Sequence, residues 1–183
     1  MARLKGGDLA AFESLYARYA HPLLNFFHQM CFDRVASEDY LQETFLRVWR
    51  ARATWQPMAK VSTWLFQIAK NLWLNEREKQ KLRPFHAAKG GDDSVAQWER
   101  VAGGAPSPSE SASSGETVAA LRDAVGGLSE KLRAVFVMAR YQGLPYAEIA
   151  SALEIPEGTV KSRMAQAEKL LRDRLRLHWE GAR

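Results

Sequence analysis

Between Gly158 and Leu175 the cationic and amide side chains are spaced for contact with a polyanion. At roughly 100° per residue, a helix here gathers Val160, Met164, Ala167 and Leu171 on one side and Ser162, Ala165, Gln166 and Lys169 on the other. Ser162 and Gln166 carry the donor and acceptor groups that read base edges in a major groove, while Lys161, Arg163 and Lys169 are long cations suited to the phosphates on its walls. Arg172, Arg174 and Arg176 extend the positive field. The plain alternative is a solvated basic face on a packing helix. What precedes the segment weighs against it. Pro145 suits the first position of a short helix with Ile149, Ala150 and Leu153 inward, and Glu154-Ile155-Pro156-Glu157-Gly158 stops that helix and starts the next. The pattern is helix, tight turn, helix.

No second chemistry has a constellation behind it. His21, His28, His86 and His178 are scattered; only His28 and Cys31 meet on one helix turn, and two ligands do not make a zinc site. Gly6-Gly7, Gly90-Gly91, Gly103-Gly104 and Gly126-Gly127 lack the strand, lysine and spacing of a phosphate-cradling loop. Gly126-Gly127 reads instead as a break between two helices. The expectation is a protein with no catalytic residues, no metal, no cofactor and no small-molecule substrate.

These residues must be held by a small scaffold. The chain has 183 residues, 46% of them apolar, which suffices for one or two packed domains and is short for an enzyme with its own cofactor fold. Lys and Arg exceed Asp and Glu by 26 to 21, a net charge of +5 that favours polyanionic partners. The single cysteine forms no internal disulfide. The first twenty residues carry charges at Arg3, Lys5, Asp8, Glu13 and Arg18, unlike a signal peptide, and no run is apolar and long enough to span a bilayer. A cytoplasmic protein without membrane insertion is expected.

Composition divides the chain into three. Residues 1–84 are rich in aromatic and aliphatic side chains at three- and four-residue steps, as in Phe12, Leu15, Tyr16 and Tyr19, which indicates amphipathic helices. Residues 85–117 turn to Gly, Ala, Ser, Pro and acidic residues and read as a flexible linker, with Trp98 an isolated aromatic that either docks on a partner or orders only in a complex. Residues 118–183 return to helical period, with Leu132, Val135, Phe136 and Ala139 on one stripe and Ser129 as N-cap. The expected fold is all-α, two small helical domains joined by a flexible linker.

The order of motifs carries a resemblance. Leu144-Pro145-Tyr146-Ala147-Glu148-Ile149-Ala150 and Ile155-Pro156-Glu157-Gly158-Thr159-Val160-Lys161-Ser162-Arg163 resemble the fourth region of extracytoplasmic-function sigma factors, the smallest members of the bacterial sigma-70 family. Asp8-Leu9-Ala10-Ala11-Phe12, Ser37-Glu38-Asp39-Tyr40-Leu41-Gln42-Glu43-Thr44-Phe45 and Thr63-Trp64-Leu65-Phe66-Gln67-Ile68-Ala69-Lys70-Asn71 are similar to its second region. Three positions depart from the usual pattern. Glu154 replaces a common turn glycine, so a residue with a Cβ must take up a less favourable backbone; Gln166 replaces a frequent arginine, and Asn75 an aspartate.

Physics and resemblance assign three surfaces. On a helix opening after Ser37, Leu41, Phe45 and Val48 share one face, and Asp39, Gln42, Glu43, Leu46 and Arg50 nearly the opposite one. A polar face with a central leucine suits a protein partner, or is an ordinary wet face; the resemblance implies docking on the clamp coiled coil of RNA polymerase. The next helix, about Ser62 to Lys81, is expected to bury Leu65, Ile68, Ala69 and Leu72 and to turn Gln67, Lys70, Asn71, Leu74 and Lys81 outward. With Trp55 and Phe66 these would hold an unpaired strand, since aromatic faces stack on bases and cations track the backbone. By resemblance Trp55, in the loop Thr54 to Lys60, lies where a flipped base of the minus-10 element is captured; core packing is its other reading, and the expected fate of Trp64 and Trp73. Thr159, Lys161, Ser162, Arg163, Gln166 and Lys169 would read the minus-35 element as duplex. The resemblance further implies core RNA polymerase, promoter DNA and an anti-sigma protein as partners. Two rivals remain: a mimic that sequesters a sigma antagonist without touching DNA, and a dimeric helix-turn-helix regulator acting on a palindrome.

Overall fold

The computed structural model describes residues 1–56, 60–82 and 108–181, with the side chains of 80–82, 108–116 and 178–181 left aside. His86, Trp98, the Gly90-Gly91 and Gly103-Gly104 pairs and most of the expected linker lie outside the described residues, as does part of the loop after Trp55. Among the described residues there are eight helices and no strand: α1 (Ala2–Lys5), α2 (Leu9–Cys31), α3 (Arg34–Ala51), α4 (Val61–Leu82), α5 (Pro108–Gly126), α6 (Glu130–Arg140), α7 (Tyr146–Leu153) and α8 (Glu157–Gly181).

Local chemistry sets the boundaries. The Asp8 carboxylate accepts from the Ala11 amide at 3.1 Å and starts α2. Phe32 ends α2 in the left-handed region (φ 56°), and Asp33 caps α3 by accepting from Ala36 N at 3.0 Å, so two residues turn the chain into an antiparallel helix pair. This corrects the start of α3: Ser37 is not its cap but a buried residue of its first turn, its hydroxyl bonded back to the Asp33 carbonyl. Helix α5 begins at Pro108, well before the expected domain start at 118. Proline's missing N–H costs nothing at a first helical position, and the Ser, Ala and Glu that follow tolerate helix although they offer it little apolar face. Ser129 stands at the α6 cap without a side-chain bond, and Pro145 stands one residue ahead of α7.

Leu23, Phe26, Phe27 and Met30 of α2 pack with Leu41, Phe45 and Val48 of α3 and with Leu65, Phe66, Ala69, Leu72 and Trp73 of α4. In the C-terminal half, Leu132, Val135 and Phe136 of α6 and Ile149 and Ala152 of α7 receive Val160, Met164, Ala167 and Leu171 of α8, none of which is more than 9% exposed. The two helical halves pack against each other. Helix α4 runs against α7 and α2 against α6, and the buried side chains form one continuous cluster.

A polar seam reinforces that contact. Arg77 Nη2 lies 2.6 Å from Glu130 Oε1. Arg133 donates to the Met30 carbonyl at 2.8 Å, across the seam, and to the carbonyls of Gly126 and Leu128 in its own half. Its guanidinium also sits 5.2 Å from the Phe32 ring, with that of Arg122 at 5.6 Å. Arg174 donates to the Ala124 carbonyl at 2.9 Å and lies across Gly127, where a Cβ would collide with the guanidinium. Glycine therefore fits at 127 for space, and the expected break falls there: α5 ends at Gly126 and α6 begins at Glu130.

Candidate nucleic-acid interface

Helices α7 and α8 meet through a turn that one residue makes tight. Glu154 lies at φ 57°, ψ 45°, the left-handed conformation that its departure from glycine predicts, and the Ile155 amide closes back on the Ala150 carbonyl at 3.0 Å. Ile155 packs on the core behind the turn. The Pro156 carbonyl then accepts from the amides of Thr159 and Val160 at 2.9 and 3.2 Å, launching α8. With Val160, Met164, Ala167 and Leu171 buried, the opposite stripe is fixed: Ser162, Ala165, Gln166 and Lys169 are exposed, Lys161 is exposed beside them, and Thr159 and Arg163 are half-buried at its edge.

Within that stripe, Ser162 donates to the Thr159 carbonyl at 3.1 Å, and Lys161 Nζ pairs with Glu157 Oε1 at 2.9 Å. The carboxylate beside it raises the Lys161 ammonium above its ordinary value, so this charge is fully present at neutral pH. Arg174 is committed to the Ala124 carbonyl. A partner that takes Lys161 displaces only an exposed ion pair, which costs little.

The α3 face is laid out as its spacing predicts. Asp39, Gln42 and Arg50 are exposed, Leu46 is 50% exposed, and Glu43 is half-exposed and bonded to Arg47 at 2.8 Å. Leu41, Phe45 and Val48 are buried behind them.

The α4 face departs from expectation most at Phe66 and Lys70, while Trp64 and Ile68, expected in the core, and Gln67, expected outward, are each half-buried. Phe66 is buried, packed edge-to-face on Phe26 with ring centroids 5.6 Å apart, and presents no stacking surface. Lys70 is also buried, although an outward orientation is predicted. Both follow from α4 being covered on two sides, by α2 and α3 on one and α7 on the other, which widens its buried arc beyond a single stripe. Asn71 is exposed, Leu74 is 38% exposed, and Trp73 is buried as predicted. Trp55 is half-buried, 6.5 Å from the half-buried Trp64.

The polar groups of α4 meet two carboxylates from the helix-turn-helix. Gln67 Nε2 donates to Glu154 Oε1 at 2.8 Å and Lys70 Nζ lies 3.3 Å from Glu154 Oε2. Lys60 Nζ lies 2.6 Å from Glu148 Oε1, while the Ser62 and Thr63 hydroxyls donate to Glu148 Oε2 at 3.1 and 3.4 Å. Lys70 and Lys60, each hydrogen-bonding its partner, hold Glu154 and Glu148 below the usual carboxylate range. Lys60, Ser62, Thr63 and Glu148 escape sequence reasoning as site residues because their pairing spans the two halves. Thr63 and Glu148 stand inside the α4 and α7 motifs, Ser62 at the expected start of α4 and Lys60 in the loop before it, but no local pattern pairs them.

Among the described residues no group of three or more His, Cys, Asp and Glu is placed to hold a metal ion, and no helix is long and apolar enough to cross a membrane.

Comparison with known proteins accounts for both halves. Residues 15–83 match Sigma-70 region 2, and residues 119–171 match Sigma-70, region 4. The ECF RNA polymerase sigma factor SigL of Mycobacterium tuberculosis is 33% identical over 176 residues, covering 94% of each chain. The ECF RNA polymerase sigma factor SigW of Bacillus subtilis is 28% identical over 175 residues, covering 95% of this chain and 94% of that protein. Among solved structures, CnrH in complex with the cytosolic domain of CnrY superposes with a TM-score of 0.69 at 23% identity, over 95% of this chain and 93% of that one, a likeness of fold. The sequence relationship goes further than fold: this chain belongs to the sigma-70 family, in its extracytoplasmic-function branch.

Proposed function

We propose that the chain is a promoter-specificity subunit of bacterial RNA polymerase, in which α8 reads minus-35 duplex, the α3 face holds the core enzyme, and the α4 face with Trp55 holds the opened minus-10 strand. Sigma factors of this family direct promoter recognition and transcription initiation. The observation that carries the residue assignment is the α8 stripe: four buried apolar positions leave Ser162, Gln166 and Lys169 outward on the second helix of a helix-turn-helix, with Lys161 and Arg163 flanking.

The division of labour follows from chemistry. Lys161, Arg163 and Lys169 bind phosphates and fix register, Thr159 supports the start of the stripe, and Ser162 and Gln166 address base edges. On α3, Asp39, Gln42, Glu43 and Arg50 surround exposed Leu46, an apolar anchor with a polar rim. Asn71 and the half-buried Gln67 bind the strand, while Lys70, buried and paired with Glu154, and Phe66, in the core, position them. Trp55 offers one ring face for a base. Flipping a base costs a few kcal/mol, so strand capture and polymerase contacts must jointly offset it. The protein works inside the cytoplasm, makes and breaks no covalent bond, and answers to an anti-sigma protein. The fold neighbour RpoE from Bartonella quintana, solved with the anti-sigma factor NepR, supports that last partner at 18% identity by likeness of fold alone.

The test separates the two kinds of contact on α8. Lys161→Ala weakens binding across all duplex sequences and lowers the slope of log affinity against log salt by about one. Gln166→Ala changes which base is preferred, by about 1–3 kcal/mol at one position. Equal loss on every sequence from Gln166→Ala refutes base reading there. The exposed cations of α8 favour this reading over a mimic that never meets DNA.

A further inference from the structure

Helix α3 carries the same short pattern twice. Val35 and Leu46 are its exposed large apolar side chains, 70% and 50% open to solvent. Each is followed four residues on by an exposed charge, Asp39 after Val35 and Arg50 after Leu46, and neither charge is held in a hydrogen bond or ion pair among the described residues. At roughly 100° per residue the offset of 11 residues returns to within about 20°, so the two units share one stripe, and at about 1.5 Å per residue they stand about 16.5 Å apart. On the flanks the charges cancel within the helix: Arg34 bonds Glu38 at 3.1 Å, and Arg47 bonds Glu43 at 2.8 Å. We propose that α3 docks through two apolar anchors, Val35 as well as Leu46, and that the opposite signs of Asp39 and Arg50 set the direction in which the partner lies across it.

The inference rests on the reading of α3 as the core-docking helix, and adds to it Val35 and a polarity. A single exposed valine needs no explanation. Its register with Leu46 and the repeated charge behind each do. Val35 stands in the first turn of α3 outside the buried cluster, and a β-branched residue is a poorer helix former than alanine, so neither packing nor propensity accounts for it. A stripe this straight is matched most simply by another helix, three of whose turns span the same length. The partner is therefore a helix of the core polymerase with two apolar recesses about 16.5 Å apart, a basic side chain beside the first and an acidic one beside the second. Laid the other way round, that helix would set its cation against Arg50 and its carboxylate against Asp39, and like charges brought together across an interface are costly. The neutral flanks do not enter that choice.

The experiment measures binding of the labelled full chain to purified core RNA polymerase by fluorescence anisotropy, with helical content checked by circular dichroism. Val35→Ala removes apolar bulk from an open position while raising helix propensity, so weaker binding cannot be mistaken for damage to α3. A loss of about fivefold is expected, the scale of burying the outer methyl groups of a valine, and Val35→Ile should retain the affinity. The charge exchange Asp39→Arg/Arg50→Asp leaves the net charge unchanged. It is expected to weaken binding about tenfold, more than Asp39→Asn/Arg50→Gln, because it replaces attraction by repulsion instead of merely removing it. Arg34→Gln/Glu38→Gln should change the affinity less than about twofold, since that flank is already neutral.

Unchanged affinity in Val35→Ala leaves Leu46 as the sole anchor and overturns the two-anchor face. A charge exchange no worse than the neutral pair overturns the polarity, and so does a loss of the same size from Arg34→Gln/Glu38→Gln. Sedimentation of the free protein is expected to show a monomer; a dimer that Val35→Ala dissolves would assign the stripe to a second copy of this chain. Leu46→Glu reports on the parent reading separately. Full core binding by Leu46→Glu discards the core-docking reading of α3, whereas its loss there alongside unaffected Val35→Ala discards this inference alone.

Discussion

Arg133→Met should unfasten the seam between the halves. Arg133 reaches three carbonyls: Met30 at 2.8 Å, Leu128 at 3.1 Å, and Gly126. Its guanidinium lies over Phe32 at 5.2 Å. A hydrogen bond from a charged donor contributes about 1.5–3 kcal/mol, and the ring contact about 0.5–1 kcal/mol. Simple addition overstates the loss. The side chain is half-buried, water reaches the freed carbonyls in the variant, and methionine keeps the apolar stem in place. A loss of about 3 kcal/mol is expected, which for a chain of this size lowers Tm by about 6–12 °C. Arg133→Lys should recover little, because an ammonium on a flexible stem cannot span three carbonyls with a planar fork. Urea denaturation followed by far-ultraviolet circular dichroism measures both variants. A loss below about 1 kcal/mol for Arg133→Met would mean that these bonds merely replace equivalent bonds to water, and the seam would not be anchored here.

Two further predictions concern buried and paired groups. Gln29 is fully buried, and neither its amide nitrogen nor its oxygen has a hydrogen-bond partner among the described residues; Gln29→Met should therefore stabilise the protein by about 1 kcal/mol in the same urea assay, and an unchanged or lower stability would show that the amide is satisfied. Glu148 and Glu154 have lowered folded pKa values, so their contribution to the closed arrangement is complete above the ordinary glutamate value of about 4.3 and is lost only as pH falls through the lower folded values. The radius of gyration should hold steady from neutral pH down to about pH 5 and grow only in stronger acid; expansion nearer neutrality would assign the closure to other groups.

The sequence is most informative where one helix has one covered side. On α8, period alone separates Val160, Met164, Ala167 and Leu171 from Ser162, Gln166 and Lys169, and on α3 it separates Leu41, Phe45 and Val48 from Asp39, Gln42 and Arg50. Glu154 was legible for a different reason: a tight turn between two helices needs a left-handed residue whatever side chain stands there. Period fails on α4. It gives an angle about the helix axis and says nothing of how many neighbours lie around it, so it turns Lys70 to solvent and leaves Phe66 among the strand-holding residues, whereas α7 and α2 cover them. The start of α3 illustrates a smaller ambiguity. Asp33 and Ser37 are both good capping types one turn apart, and the choice falls to Asp33 because Phe32, ahead of it, can end α2 in the left-handed region. The seam itself lay beyond any local pattern, since Lys60 and Glu148, or Arg133 and Met30, meet only once both halves are folded.

The measurement that bears most directly on the account is initiation of transcription from genomic DNA fragments by purified core RNA polymerase, with and without this protein. The account predicts discrete start sites that appear only when the protein is present, with minus-35 sequences whose preference shifts in Gln166→Ala and whose use collapses when Leu46 on the α3 face is changed to Glu. Failure to bind core, or a footprint on a palindrome that needs no core enzyme, would contradict it.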